Sequence, residues 1–169
     1  NAINNDMLRQ LISIIENVAG NDEIGVLVLT GSGRAFSAGG DIKDMHGASK
    51  KELGECLDLF QLLSHKMHSL SKPIIAAING YALAGGFELA LSCDLRIASD
   101  KSQFSLPDVK IGLSPTSAMT YLLPRIIGMG RAMHLILTGE MINAVEAERI
   151  GLATLVVDQD HLMEETEKL

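Results

Sequence analysis

Apolar and polar positions along the chain follow two patterns, and the first of them is helical. Near the N-terminus apolar residues recur every three or four positions, which predicts a helix that ends near Gly20 and Asn21. The same spacing over residues 50–70 predicts a second helix, which Pro73 ends. The two apolar stripes consist of Met7, Leu8, Leu11, Ile14, Ile15 and Val18, and of Leu53, Leu57, Phe60, Leu63 and Met67.

The second pattern is the continuous apolar run, which is typical of a strand covered on both faces. Residues 24–30 and 74–78 are such runs. Shorter strands are predicted at residues 95–98, 103–106 and 153–157, and the rest of the chain after residue 106 is predicted to be mainly helical. Because strands alternate with helices and no linker interrupts them, the pattern favours a single α/β domain.

The composition limits the kinds of molecule that the protein is expected to bind. The chain has 169 residues with a net charge of −7, no Trp and 4% aromatic residues, which argues against a nucleic-acid-binding surface. No apolar run is long enough to span a membrane, and the first residues do not resemble a signal peptide. We therefore expect a cytoplasmic protein, or a protein of the mitochondrial matrix if the source is eukaryotic.

Cysteine and histidine give no metal motif. Cys56 and Cys93 lie far apart in the sequence, which favours two small buried thiols in a reducing compartment. His65 and His68 lie three residues apart on a predicted helix, but no third ligand accompanies them. The better interpretation of this pair is a helix surface.

Two segments rich in small residues follow the two predicted buried strands. Residues 34–41 come after the first strand and residues 82–88 after the second, at positions where α/β folds place ligands. Small residues allow a ligand to approach the backbone, and one N–H group from each segment would make an oxyanion hole. Taken alone, Gly39-Gly40 and Gly85-Gly86 also suit ordinary turns.

Two carboxyl groups are candidates for acid/base chemistry. Glu88 lies among apolar residues, and desolvation there would raise its pKa toward neutrality. Asp108 follows the predicted strand at 103–106 and could pair with Glu88. From the pattern alone, Glu88 could equally be an acid in a first helical turn and Asp108 a solvated loop residue. Asp41 suits a helix N-cap.

Other glycine-rich sites are excluded by spacing. Residues 31–36 lack the third glycine of a dinucleotide fingerprint, and the chain contains no GxxxxGK[ST] phosphate loop. It also contains no GxSxG nucleophile motif of a serine hydrolase.

Three longer motifs resemble the enoyl-CoA hydratase/isomerase (crotonase) superfamily. RAFSAGGDI at residues 34–42 is similar to the first signature of that superfamily, and KPIIAAINGYALAGGFELA at residues 72–90 is similar to the second. FSLPDVKIGLSP at residues 104–115 is similar to the third, and the similarity continues in order along essentially the whole chain. The resemblance implies a crotonase-like α/β fold, a spiral of ββα units around two roughly perpendicular sheets.

The resemblance also describes the two ends of the chain. Residues 1–4 resemble a segment that follows a first β-strand, and the family continues after His161 into trimerisation helices. We therefore expect residues 1–169 to be a single core domain that is a fragment, without that first strand and without the C-terminal trimerisation helices. The full-length protein would be a homotrimer or a dimer of trimers, and the fragment would expose apolar surface.

Matching motif to motif, the resemblance places the oxyanion-hole amides on Gly40 and Gly85 and the first catalytic glutamate on Glu88. The second glutamate position holds Asp108, which is one methylene shorter. Thr116 stands where some isomerases and thioester hydrolases have an aspartate, and its hydroxyl is a poor base. The residues implied in substrate or CoA binding are Ala35, Phe36, Ser37, Ala38, Asp41, Ile42, Gly86 and Pro115.

The activity that the resemblance implies is addition of water to a trans-2-enoyl-CoA to give a 3-hydroxyacyl-CoA. No metal or redox cofactor is expected, because coenzyme A is part of the acyl-CoA thioester substrate. One alternative is an isomerase that moves the double bond of an enoyl-CoA. Another is a non-catalytic protein that binds acyl-CoA, which the intact Glu88 and Gly85 argue against.

Overall fold

The computed structural model describes residues 1–116 and 119–169. The strands are β1 Ala2–Ile3, β2 Leu27–Thr30, β3 Ala35–Ser37, β4 Gly39–Gly40, β5 Ile74–Ile78, β6 Tyr81–Leu83, β7 Leu95–Ser99, β8 Gln103–Ser105, β9 Ile142–Asn143 and β10 Leu155–Val157. The helices are α1 Asn5–Gly20, α2 Ile42–Met45, α3 Lys50–Ser69, α4 Gly85–Leu91, α5 Met119–Ile127, α6 Met129–Thr138, α7 Ala144–Arg149 and α8 Leu162–Glu167. Pro107–Ile111 and Gln159–His161 form 3₁₀ helices.

The strands form two four-stranded sheets and one short pair. The first sheet has the order β10-β7-β5-β2 and is parallel throughout. The second has the order β3-β6-β8-β9, in which only β9 runs antiparallel to its neighbour, and β1 pairs with β4 in parallel. Successive turns of the chain add one strand to each large sheet and then a helix, as in β5, β6 and α4. The predicted spiral of ββα units is confirmed.

Strand β5 lies inside its sheet and β2 lies at the edge. All five residues of β5 are buried, as its apolar run predicted. The run at residues 24–30 gives a shorter strand, Leu27–Thr30, which is half-buried. Leu27 and Leu29 pack against one apolar cluster and Val28 packs against another, so both faces of β2 are covered in part, as predicted, although β2 is an edge strand that pairs only with β5.

The two glycine-rich segments contain or adjoin short strands. Residues 34–41 include β3 and β4, and residues 81–83 form β6. Helix α4 begins at Gly85. A Cβ atom on Gly86 would lie 2.4 Å from the Ser37 carbonyl oxygen, so glycine lets α4 pack directly against β3. Strand β9 lies in the region predicted to be helical.

Helices α1 and α3 pack together and cover the core. Helix α1 buries Leu8, Ile12, Ile15 and Val18, and begins after Asn4, whose side chain accepts from the Met7 N–H. Helix α3 begins with a capping box and buries Leu63 and Met67. Leu57 of the predicted apolar stripe is exposed. Both cysteines are free thiols; Cys93 is buried and Cys56 only half-buried.

Helix α6 and the segment after it form one of the places where large apolar side chains are exposed. Helix α6 exposes Met129, Met133 and Leu137, spaced four residues apart, and Met141 and Val145 follow. The sequence-based expectation of exposed apolar surface agrees with this pattern. Within the residues that the structure describes, no helix combines the length and apolar character needed to cross a membrane.

Candidate active site

Glu88 lies in the first turn of α4 and is buried, with 5% of its surface exposed. Its neighbours Phe87 and Leu89 are also buried. The pKa of Glu88 is raised from 4.5 to about 7, mainly because the carboxyl group is buried. Two hydrogen bonds from Thr116 lower the pKa against this rise, and the negative charge of Asp108 raises it further. A carboxyl group that titrates near neutral pH can both take up and release a proton at that pH.

Thr116 supplies both hydrogen bonds to the Glu88 carboxyl group. Its backbone N–H donates to Oε1 at 3.0 Å, and its hydroxyl donates to Oε2 at 3.2 Å. The resemblance marked Thr116 only as a replaced acid, so its contact with Glu88 was missed. The only signal in the sequence was a hydroxyl residue in a loop close to the third motif.

Asp108 comes to the same site from a different element. It lies in the 3₁₀ helix Pro107–Ile111, is half-buried, and burial raises the pKa of its carboxyl group. Its Oδ2 atom is buried and accepts no hydrogen bond from the described residues. Its negative charge raises the pKa of Glu88, so the two carboxyl groups lie close enough to interact. The structure thus brings together the two predicted acids.

The two glycine-rich segments touch each other beside Glu88. A Cβ atom on Gly39 would lie 3.1 Å from the Gly85 nitrogen, and one on Gly85 would lie 3.7 Å from the Gly40 nitrogen. Gly85 is the first residue of α4, so its N–H has no acceptor within the helix. The structure therefore places the two predicted oxyanion-hole residues side by side.

The junction before Gly85 is strained. Ala84 has φ +48° and ψ −125°, and it is the one non-glycine residue with positive φ in the described part of the chain. Such a conformation costs on the order of 1–3 kcal/mol for a residue with a side chain. It sets the orientation of the peptide that carries the Gly85 N–H. Gly39, with φ +90°, leaves no room for a Cβ atom, which would lie 2.8 Å from the Ala84 Cβ.

An apolar wall from α3 closes the site on one side. The tip of the Phe60 ring lies against Gly85, where a Cβ atom would be 2.9 Å from the ring Cζ. Phe60, Leu63 and Met67 line a small cavity together with Glu88.

Three of the residues implied in substrate binding have packing roles. Phe36 lies in the hydrophobic core, with 4% of its surface exposed. Ser37 is buried and its hydroxyl donates to the Asn1 carbonyl oxygen at 2.8 Å. Gly86 packs against Ser37. Substrate contact by Phe36 would therefore have to come from its backbone.

The other residues implied in substrate or CoA binding lie nearer the surface, except Pro115, which is buried. Ala35 is half-buried at the start of β3, and Ala38 is exposed between β3 and β4. Asp41 follows β4 and directly precedes α2, the position expected of an N-cap, and Ile42 is 73% exposed. Pro115 is buried directly before Thr116. The set thus lies on three segments: residues 35–42 around Gly40, Gly86 beside Glu88 in α4, and the loop that contains Pro115.

Over residues 1–116 and 119–169, the structure contains no group of three or more His, Cys, Asp or Glu side chains that could hold a metal ion. His68 instead contacts the Ser64 carbonyl oxygen of its own helix through Nδ1, at 2.7 Å.

Comparison with known proteins assigns the chain and its fold to a family. The sequence profile of the enoyl-CoA hydratase/isomerase family matches residues 1–169, and the chain belongs to that family.

Individual relatives agree with this assignment. The crotonyl-CoA hydratase of Syntrophomonas wolfei is 41% identical over the whole chain, and the short-chain-enoyl-CoA hydratase of Clostridium acetobutylicum is 41% identical over 96% of it. The crystal structure of an enoyl-CoA hydratase from Bacillus anthracis superposes on 99% of the chain, with a TM-score of 0.96 and 36% identity. The chain spans 65%, 63% and 65% of the lengths of these three proteins, respectively.

Proposed function

We propose that this chain carries the active site of an enzyme that adds water to a trans-2-enoyl-CoA to give a 3-hydroxyacyl-CoA. The observation that carries the proposal is Glu88, a buried carboxyl group with a pKa of about 7, coupled to Asp108 and next to the Gly40 and Gly85 segments. The names of the two hydratase relatives support the same reaction. Loss of the conjugated-enoyl absorbance of crotonyl-CoA on mixing with the purified natural protein tests it.

In this proposal the thioester carbonyl oxygen lies between the N–H groups of Gly40 and Gly85. Negative charge develops on that oxygen when water attacks C3, so donors held in place stabilise the transition state more than the substrate. The strained peptide at Ala84 and the contact between the two glycine segments support a fixed arrangement of these donors.

The two acids act on the water molecule and on C2. Glu88 and Asp108 hold the water; one of them removes its proton as the oxygen bonds to C3, and the other supplies a proton to C2. The unpartnered Oδ2 of Asp108 is an acceptor suited to a bound water. The proposed reaction needs no redox step, and coenzyme A enters as part of the substrate.

Variants of Asp108 distinguish hydration from double-bond migration. Asp108→Asn is expected to lower the rate of hydration by at least about tenfold, because it removes one of the two groups that hold and move the proton. Asp108→Glu should keep or raise the rate by restoring the reach of the longer side chain. The measurement is kcat/KM for crotonyl-CoA and, in parallel, for a 3-enoyl-CoA.

An isomerase would give a different pattern. Asp108→Asn would leave migration of the double bond largely intact, while Glu88→Gln would abolish it. That pattern would contradict hydration as the principal activity.

We further propose that the natural protein is a homotrimer or a dimer of trimers. The exposed apolar side chains of α6, Met129, Met133 and Leu137, support burial against another surface. Sedimentation of the natural protein at micromolar concentration is expected to give a species of three or six chains. A stable monomer at that concentration would rule this assembly out.

A further inference from the structure

Both oxygens of Glu88 are held by one residue. Among the described residues, Thr116 supplies every hydrogen bond that the Glu88 carboxyl oxygens accept, one from its N–H and one from its hydroxyl. The contact spans 28 positions of sequence and joins α4 to the loop that follows the 3₁₀ helix carrying Asp108. The only charged side chain among the described residues that acts on Glu88 is that of Asp108, from this 3₁₀ helix.

The two donors of Thr116 differ in what they can do. A backbone N–H can only donate, whereas a hydroxyl can donate or accept. In the proposed reaction Glu88 alternates between a carboxylate and a carboxylic acid. When Glu88 is ionised, the Thr116 hydroxyl donates to Oε2; when Oε2 carries a proton, the hydroxyl can rotate and accept it. A buried carboxyl group would otherwise lose a hydrogen-bond partner in one of the two forms, at a cost in free energy.

We propose that Thr116 is a positioning residue that keeps the Glu88 carboxyl group hydrogen-bonded and correctly oriented in both its charged and its neutral form. This inference rests on the proposed acid/base role of Glu88. Thr116 itself is not the acid or the base. An aspartate at this position would instead place a second negative charge beside Glu88, with Asp108 already coupled to it.

Two variants separate the hydroxyl from the backbone N–H. Thr116→Val has nearly the same shape and keeps the N–H but removes the hydroxyl, while Thr116→Ser keeps both donors. The Thr116 hydroxyl bonds the charged form of Glu88 more strongly than the neutral form and so lowers its pKa. Thr116→Val should therefore raise the pKa of Glu88 by about one pH unit, the scale of one hydrogen bond to a charged group. Thr116→Ser should leave it unchanged, and so should Thr120→Val, which alters an exposed threonine of α5.

The titration is followed in two ways. The ¹³C resonance of the Glu88 carboxyl group, assigned by its absence in Glu88→Gln, reports the pKa without turnover. The acid limb of the pH profile of kcat/KM for crotonyl-CoA should move with it, and kcat should fall by about tenfold in Thr116→Val and recover in Thr116→Ser.

The outcomes are distinct. A Glu88 titration that is the same in Thr116→Val and the natural protein, or an equal fall in kcat in the Ser and Val variants, would overturn the inference. If the natural protein does not hydrate crotonyl-CoA but the resonance moves as expected, the proposed function fails while the contact between Thr116 and Glu88 retains its effect on the titration.

Discussion

Replacing Glu88 by glutamine is expected to lower the rate of crotonyl-CoA hydration by about a hundredfold or more, the scale of losing a positioned acid/base group. Glutamine has the same shape as glutamate, and it can accept the Thr116 N–H while donating to the Thr116 hydroxyl. The loss should therefore be chemical and not structural. The measurement is kcat/KM at pH 7, with Glu55→Gln on the exposed face of α3 as the control.

The same variant should be more stable than the natural protein at alkaline pH. The pKa of Glu88 rises from 4.5 to about 7 on folding, so between these pH values the folded state binds more protons than the unfolded state. The free energy of unfolding therefore falls as pH rises through this window. Glutamine cannot ionise, so Glu88→Gln removes a penalty of about 3 kcal/mol at pH 8. Urea unfolding of both proteins at pH 5 and pH 8 measures the difference between their free energies of unfolding. The same difference at both pH values would contradict a buried charge on Glu88.

Gly85→Ala is expected to lower hydration by about a hundredfold, the scale of losing one oxyanion-hole donor. Alanine keeps the backbone N–H, but its Cβ atom would lie 2.9 Å from the Phe60 ring and 3.7 Å from the Gly40 nitrogen, beside the two donors between which the thioester oxygen is proposed to lie. The measurement is kcat for crotonyl-CoA at saturation, together with the affinity for a non-reactive acyl-CoA.

Two control variants distinguish the possible causes of a loss of activity in Gly85→Ala, which are a blocked oxyanion hole and a displaced Phe60 ring. Gly54→Ala in α3 puts a Cβ atom where nothing lies within 4 Å, so it should keep full activity. It should also raise stability by about 1 kcal/mol through helix propensity. Phe60→Leu in the Gly85→Ala background relieves the ring contact and should not restore activity. Full recovery in that double variant would mean that the glycine serves only to accommodate Phe60.

The sequence predicted those parts of the fold that depend on long apolar patterns. Helices α1 and α3 and strand β5 each have enough apolar positions to define a period or a continuous run. Strands β4 and β9 have two residues each, too few to show a period, and their pairing depends on distant partners. The edge position of β2 was not predictable either, because an apolar run looks the same at an edge and in the interior of a sheet.

For the site, too, some features were predictable from local sequence and others depended on tertiary packing. Burial of Glu88 followed from its apolar neighbours in the chain, and the resemblance placed Asp108 and the two glycines. The contact with Thr116 depends on how a loop 28 residues away closes on α4, and the contact between Phe60 and Gly85 depends on how α3 packs. Neither leaves a local pattern in the sequence. Both are tertiary contacts, and the hydrogen bonds from Thr116 lower the pKa of Glu88 against the larger effect of burial.

The most direct test of the central claim is the pH dependence of crotonyl-CoA hydration by the purified natural protein, followed by loss of the conjugated-enoyl absorbance. We expect formation of 3-hydroxybutyryl-CoA, with an ionisation of Glu88 near pH 7 in the profile of kcat/KM. In Glu88→Gln this ionisation should disappear together with most of the activity. Hydration at the natural rate by Glu88→Gln, with the same pH profile, would contradict the central claim.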